Sequence, residues 1–204
     1  MRNSSALYCS IFFLTLCLSL NSIADTTSHT PDISAFIGVE TWIPSSDLDT
    51  YWNPHQVGGA VELTVEYSPR IDMVITLSEQ EFEPSYIDDN LMVPDLLMLL
   101  MRGGIRGEFM QRKSVAGFLE GGLLWAVTSF SSDEMTFPGH SARESEGGVY
   151  LGGGVGISFL KSWSLQLTCR GHRVFTNPDE MNWTSFGIGL RKTWSEVAIF
   201  RGVW

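Results

Sequence analysis

Residues 163–194 read WSLQLTCRGHRVFTNPDEMNWTSFGIGLRKTW, and their alternation decides the fold. From Trp163 onward, Trp163, Leu165, Leu167 and Cys169 fall on one face. Ser164, Gln166, Thr168, Arg170 and His172 fall on the other. After Asn177-Pro178 the pattern restarts: Thr184, Phe186, Ile188 and Leu190 oppose Ser185, Gly187, Gly189, Arg191 and Thr193. A period of two is the mark of a β-strand. An apolar face backed by one that carries Arg and His suits a strand lying between lipid and a wet lumen.

The same pattern recurs upstream. Strands are predicted at 33–43, 57–67, 70–82, 96–110, 115–130 and 149–159. With the two above, the tally is about eight strands of roughly 10 to 14 residues, the length a tilted membrane-spanning strand needs. In the first, Ala35, Ile37 and Val39 oppose Ser34, Phe36, Gly38 and Glu40. In the second, Val61, Leu63, Val65 and Tyr67 oppose Glu62, Thr64 and Glu66. In the third, Ile71, Met73, Ile75 and Leu77 oppose Arg70, Asp72, Thr76 and Ser78. Residues 96–101 are apolar on both faces, and Arg102, Gly104, Arg106 and Glu108 then fix the parity of the fourth. Leu119, Leu123, Trp125 and Val127 oppose Glu120, and Val149, Leu151, Val155 and Ile157 oppose Tyr150, Gly152, Gly154, Gly156 and Ser158.

The connections alternate between short (68–69, 111–113, 160–162) and long. The first three long ones are acidic, with Asp47 and Asp49, then Glu81, Glu83, Asp88 and Asp89, then Asp133, Glu134, Glu144 and Glu146. An even strand count with short periplasmic turns puts both termini in the periplasm.

Residues 1–24 read as a cleaved secretory signal: basic Arg2, an apolar core too short to span a bilayer, and small residues before Ala24. Residues 25–32 are then a polar periplasmic segment, 33–194 the barrel, and 195–204 an extension. After cleavage Cys169 stands alone, so no internal disulfide forms. The mature chain has no apolar run of about 20 residues for a transmembrane helix, but a closed β-barrel satisfies its backbone in lipid equally well. A net charge of −10 argues against nucleic acid as a partner. The four histidines lack metal-ligand spacing, so neither a metal nor a cofactor is expected.

Alternation alone leaves open which face is inside. A soluble, secreted lipocalin-like carrier would turn its apolar face inward; a membrane barrel turns it outward. Three features favour the membrane. The polar faces carry both signs, Glu40, Glu62, Glu66, Asp72, Glu108 and Glu120 against Arg70, Arg102, Arg106, Arg170 and Arg191. Such charges can pair across a lumen too narrow for a channel. Glycines on the same faces leave room for long side chains. Aromatics gather at strand ends (Tyr67, Phe109, Phe130, Phe159, Trp163, Trp183, Trp194), where interfacial girdles sit.

The chain ends as bacterial outer-membrane barrels do, on an alternating strand with a terminal aromatic that the barrel-assembly machinery reads. Phe186, Ile188, Leu190 and Trp194 fit, Lys192 departs, and Ala198, Phe200, Gly202 and Trp204 form a second candidate.

Residues 104–194 also resemble the lipid A 3-O-deacylases of the outer membrane and their acyloxyacyl-hydrolase-like relatives. The resemblance lies in 117–125 (GFLEGGLLW), 152–157 (GGGVGI), 163–167 (WSLQL) and Arg170-Gly171-His172. It implies an eight-stranded barrel with a serine nucleophile two residues after a histidine base, and an acidic residue orienting that base. His172 matches the base, Val174 stands at the serine position, and Asn177, Pro178 and Asn182 match a later piece. Thr176 and Glu180 are the candidate replacements. In a regular strand Thr176 lies about 13 Å along the chain from His172, against about 6.6 Å at a spacing of two. Proton transfer needs hydrogen-bond contact, so only a bulge or turn after His172 would bring Thr176 back.

The sequence therefore describes an all-β, antiparallel, eight-stranded up-and-down transmembrane β-barrel of a Gram-negative outer membrane. Its lumen is plugged by charge and its role is non-enzymatic. Its partners are outer-membrane lipid and lipopolysaccharide, whose phosphates the acidic loops would meet through divalent cations. The competing readings are a lipid A esterase using His172 and a soluble carrier.

Overall fold

Alternating strands without charged or proline-broken edges pair until no edge is left, and here they close on themselves. A computed structural model describes residues 31–44, 52–53, 57–84, 95–130, 143–176 and 180–194. Eight long strands form the ring: β1 (Ile33–Pro44), β3 (Gly58–Ser68), β4 (Ile71–Pro84), β5 (Leu96–Arg112), β6 (Val115–Phe130), β7 (Arg143–Leu160), β8 (Trp163–Val174) and β9 (Met181–Trp194). Each pairs antiparallel with its sequence neighbour, and β1 closes the ring on β9 from Ile33↔Trp194 to Pro44↔Trp183. A two-residue strand, β2 (Trp52–Asn53), extends the edge of β4 beyond the ring.

The strands tilt strongly. Following paired residues from Arg102 through Thr76, Glu62, Phe36, Arg191, Ser164 and Ser158 returns the path to β5 near Arg112, not to Arg102. This stagger is how a twisted sheet closes.

The apolar faces point outward. Ile37 is 66% exposed, Leu119 61% and Leu151 74%, and Leu63, Leu77, Ile105, Phe186 and Ile188 are exposed as well. Their opposite-parity neighbours Glu40, Glu62, Arg102, Arg106, Glu120 and Arg170 are buried. A soluble carrier needs the reverse. A continuous apolar belt around the ring has no place in water and matches hydrocarbon. Cys169 lies on this outer wall.

Pro69-Arg70, Lys113-Ser114 and Lys161-Ser162 are tight turns at the end where the described chain begins and ends. Arg70 (φ 91°) and Lys113 (φ 47°) take left-handed conformations there, as hairpin turns require. Arg70 is thus a turn residue, not part of the charged strand face expected from the sequence. Strand β7 starts at Arg143, six residues before the predicted Val149, so Arg143, Glu144 and Glu146 leave the predicted loop. They pair with the end of β6, from Ser129↔Arg143 to Ala126↔Glu146, and satisfy backbone groups that a loop would leave open. The predicted signal (1–24), most of the N-terminal segment 25–32, the extension 195–204 with Trp204, and Asp47, Asp49, Asp88, Asp89, Asp133 and Glu134 lie outside the described residues.

Glycine makes the inside habitable. A Cβ on Gly152 would come within 2.7 Å of Arg170 Cγ, and one on Gly154 within 2.6 Å of the Phe118 ring. The strands β5 and β6 approach so closely that a Cβ on Gly122 would lie 2.2 Å from the Gly103 carbonyl oxygen.

Candidate functional site: a filled lumen in two storeys

The middle of the lumen holds three glutamates and three arginines, all buried: Glu40, Glu62, Glu120, Arg102, Arg106 and Arg170. They come from β1, β3, β5, β6 and β8, so closure of the ring is what assembles them. Arg102 Nη2 donates to Glu40 Oε1 at 2.8 Å. Arg106 pairs with Glu62 at 2.8 Å and donates through Nε to Glu120 at 2.9 Å. Arg170 meets all three carboxylates, reaching Glu62 through Nη2 at 3.0 Å and also contacting Glu40 and Glu120. Ser78 accepts from Arg102, and Thr64 and Thr76 donate to Glu62. The Arg106 guanidinium lies 4.1 Å over the Phe118 ring.

The physical balance favours this set. One buried ion is costly, but equal numbers of opposite charges with many direct hydrogen bonds compensate each other. The remaining predicted lumen charges lie nearer the turns. Arg191 pairs with Asp72 at 3.4 Å, and Glu66 accepts the Asp32 amide at 3.2 Å. Glu108 is half-buried beside the β-bulge at Glu108/Met110. Of the eleven predicted lumen charges, the structure thus brings six into one network, leaves Glu66, Asp72, Glu108 and Arg191 nearer the turns, and puts Arg70 in a turn.

Toward the long connections the lumen changes character. Trp42, Phe82, Leu96, Met98, Leu100, Leu124, Ala126, Tyr150, Val174 and Trp183 form a buried apolar cluster. Trp42 and Trp183 stack at 5.4 Å, and Phe82 packs on Trp42 at 5.9 Å. Trp183 is 3% exposed, so it belongs to this plug and not to an outer girdle as the sequence led us to expect. Parity carried the signal: Trp183 shares a face with Ser185 and Gly187, and Trp42 with Glu40. Residues 96–101 are apolar on both faces for the same reason, since Leu97 and Leu99 face out while Leu96, Met98 and Leu100 fill the plug.

His172 joins the two storeys. Its ring stacks 5.0 Å from Trp183 and 6.3 Å from Tyr150, and its Nε2 lies 3.1 Å from Arg102 Nη1. A guanidinium only donates, so Nε2 must accept. That occupies the lone pair a general base would use. Strand β8 pairs with β9 without a register shift from Trp163↔Lys192 to Val174↔Met181, so no bulge follows His172 within the strand. Thr176 Oγ1 has no hydrogen-bond partner among the described residues, and Glu180 pairs with Arg173, whose side chain faces away from the lumen. His172, Thr176 and Glu180 therefore do not form one constellation. Val174, at the expected serine position, is fully buried in the plug.

A closed antiparallel ring with an apolar exterior and a charged, filled interior defines a small transmembrane β-barrel. No protein-family model and no curated protein sequence matches the chain. Among solved structures, it is similar to the outer membrane protein OprG of Pseudomonas aeruginosa, with TM-score 0.57 and 10% identity over 82% of this chain and 97% of that one. It is also similar to Neisserial surface protein A (TM-score 0.55, 12% identity, 79% and 96% covered). A third is the N-terminal β-barrel domain of Pseudomonas aeruginosa OprF (TM-score 0.54, 10% identity, 79% and 97% covered). At these identities the likeness is one of fold.

Proposed function

We propose that the mature chain is an outer-membrane β-barrel that acts through its surface, not by conduction and not by ester hydrolysis. The observation that carries this reading is the neutral network of Glu40, Glu62, Glu120, Arg102, Arg106 and Arg170 beneath the Trp42–Trp183 plug. It occupies the space a pore or a substrate would need. In this reading residues 1–24 direct export, residues 25–32 and 195–204 are periplasmic, and the barrel-assembly machinery inserts residues 33–194. The long acidic connections then face outward, toward lipopolysaccharide.

The test has two parts. The purified protein should migrate faster on a gel unboiled than boiled, and should show no conductance steps in planar bilayers. A protein that stays monomeric and soluble without detergent would overturn the placement, and stepwise conductance would overturn the sealed lumen. The esterase alternative predicts loss of one hydroxyacyl chain from lipid A, read by mass spectrometry of cells with and without the protein. We expect unchanged lipid A, because Arg102 holds the Nε2 of His172.

A further inference from the structure

The outer wall carries a dent that neither the fold nor the lumen requires. It is lined by Val149 and Leu151 of β7, Gly171 and Arg173 of β8, and Asn182 and Thr184 of β9, and its volume is about 360 Å³. These residues form two rows across three strands. Leu151, Gly171 and Thr184 are register partners, and so are Val149, Arg173 and Asn182 one step nearer the long connections. The lower row has a hole in it. A Cβ on Gly171 would meet only the Leu151 carbonyl oxygen, at 3.8 Å, so the side chain that would fill the wall is simply missing. Unlike Gly104 or Gly122, this glycine is not forced by close backbone approach.

The upper row sets two polar side chains, Arg173 and Asn182, beside Val149 on the outward face. Arg173 has 55% of its side chain exposed and stands one residue before the loop-ward end of β8, above the hole, with the exposed Phe175 beyond it. An arginine there extends its guanidinium to headgroup depth while its stem covers hydrocarbon. Its partner on the protein is Glu180, itself 42% exposed. The guanidinium offers five donors, so that pair leaves donors for a second anion.

We propose that this dent binds one lipopolysaccharide molecule, with an acyl chain over Gly171 between Leu151 and Thr184 and a lipid A phosphate on Arg173. The inference rests on the outer-membrane placement above, which sets the long connections in the outer leaflet. The chemistry at each end is specific. The hole accepts a hydrocarbon chain that flat barrel wall would not hold, and Arg173 supplies planar, charge-assisted donors to a phosphate. Glu180 acts as the internal competitor that a bound phosphate must displace from part of the guanidinium.

The test measures lipopolysaccharide bound to the purified, detergent-solubilised full chain, by native mass spectrometry and by titration. Wild type should retain one molecule. Arg173→Gln and Gly171→Leu should each weaken binding by on the order of tenfold, the scale of one charge-assisted contact. Glu180→Gln should tighten it, which a merely structural ion pair would not do. All three substitutions lie on the outer wall or at its rim, so the heat-dependent gel shift should persist and reports separately on the barrel. A normal gel shift with unchanged binding in Arg173→Gln and Gly171→Leu overturns the site and leaves the barrel reading standing. A missing gel shift in wild type overturns the barrel reading itself. Equal retention of phosphatidylglycerol would overturn the commitment to lipopolysaccharide.

Discussion

Replacing Arg170 with methionine tests the account of the lumen most directly. Arg170 is fully buried and meets Glu40, Glu62 and Glu120 at once. Without it, Arg102 still pairs with Glu40, and Arg106 still serves Glu62 and Glu120. One negative charge is then left uncompensated among buried groups. Breaking a buried pair in this way costs about 3–5 kcal/mol, a large fraction of the roughly 5–15 kcal/mol that holds a domain together. The double variant Arg170→Met with Glu120→Gln restores neutrality, leaving two arginines and two glutamates. It should regain about 1–3 kcal/mol of the loss, because the uncompensated charge is gone while its remaining groups stay hydrogen-bonded. Reversible urea unfolding in lipid vesicles, followed by tryptophan fluorescence, measures both. Trp42 and Trp183 are buried just above the network and report on its collapse. If the single variant loses less than about 1 kcal/mol, or the double is no more stable than the single, the network is hydrated and the reasoning fails.

Other substitutions separate the storeys of the barrel. Trp183→Ala removes a ring stacked on Trp42 and His172 and should cost about 3–5 kcal/mol in the same unfolding assay. Gly122→Val places a side chain where even a Cβ would be 2.2 Å from the Gly103 carbonyl; refolded samples should lack the fast-migrating gel band. Lys192→Leu removes an ammonium lying 5.3 Å from the Trp163 ring and 5.2 Å from the Trp194 ring on the outside, and the urea midpoint should register no more than about 1 kcal/mol.

Alternation reveals faces but not heights, and that divides what the sequence made legible from what it did not. The outward belt and the six central charges follow from parity alone: Glu62, Arg102, Arg106 and Arg170 each sit two or four residues from another polar lumen position on their own strand, and Glu40 and Glu120 oppose the apolar face of theirs. Their partners do not. Arg102 and His172 are 70 residues apart, and they meet because strand tilt brings those levels together. Tilt depends on the stagger of the closed ring, which no single strand encodes. Trp183 was misplaced because it lies at a strand end, where a girdle is expected, although its parity says lumen. The dent at Gly171 was invisible for a similar reason: it needs three strands in known register before the missing side chain becomes a hole.

The buried charges also explain why this ring closes in one register. Residues 96–101 of β5 are apolar on both faces, so that half of the strand would tolerate a slip of one residue. The other half would not. A slip of one would turn Arg102 and Arg106 outward, and an arginine facing mid-bilayer lipid costs about 2–4 kcal/mol. It would also strand Glu62 and Glu120, which take Arg106 as a partner. A slip of two keeps the faces but moves each guanidinium about 6.6 Å along the strand, beyond reach of its carboxylates. The Gly104↔Gly122 pairing adds a steric lock, since only glycine at Gly122 clears the Gly103 carbonyl. The network therefore serves the fold less by its net stability, which a well-packed apolar lumen would match, than by making every neighbouring register worse.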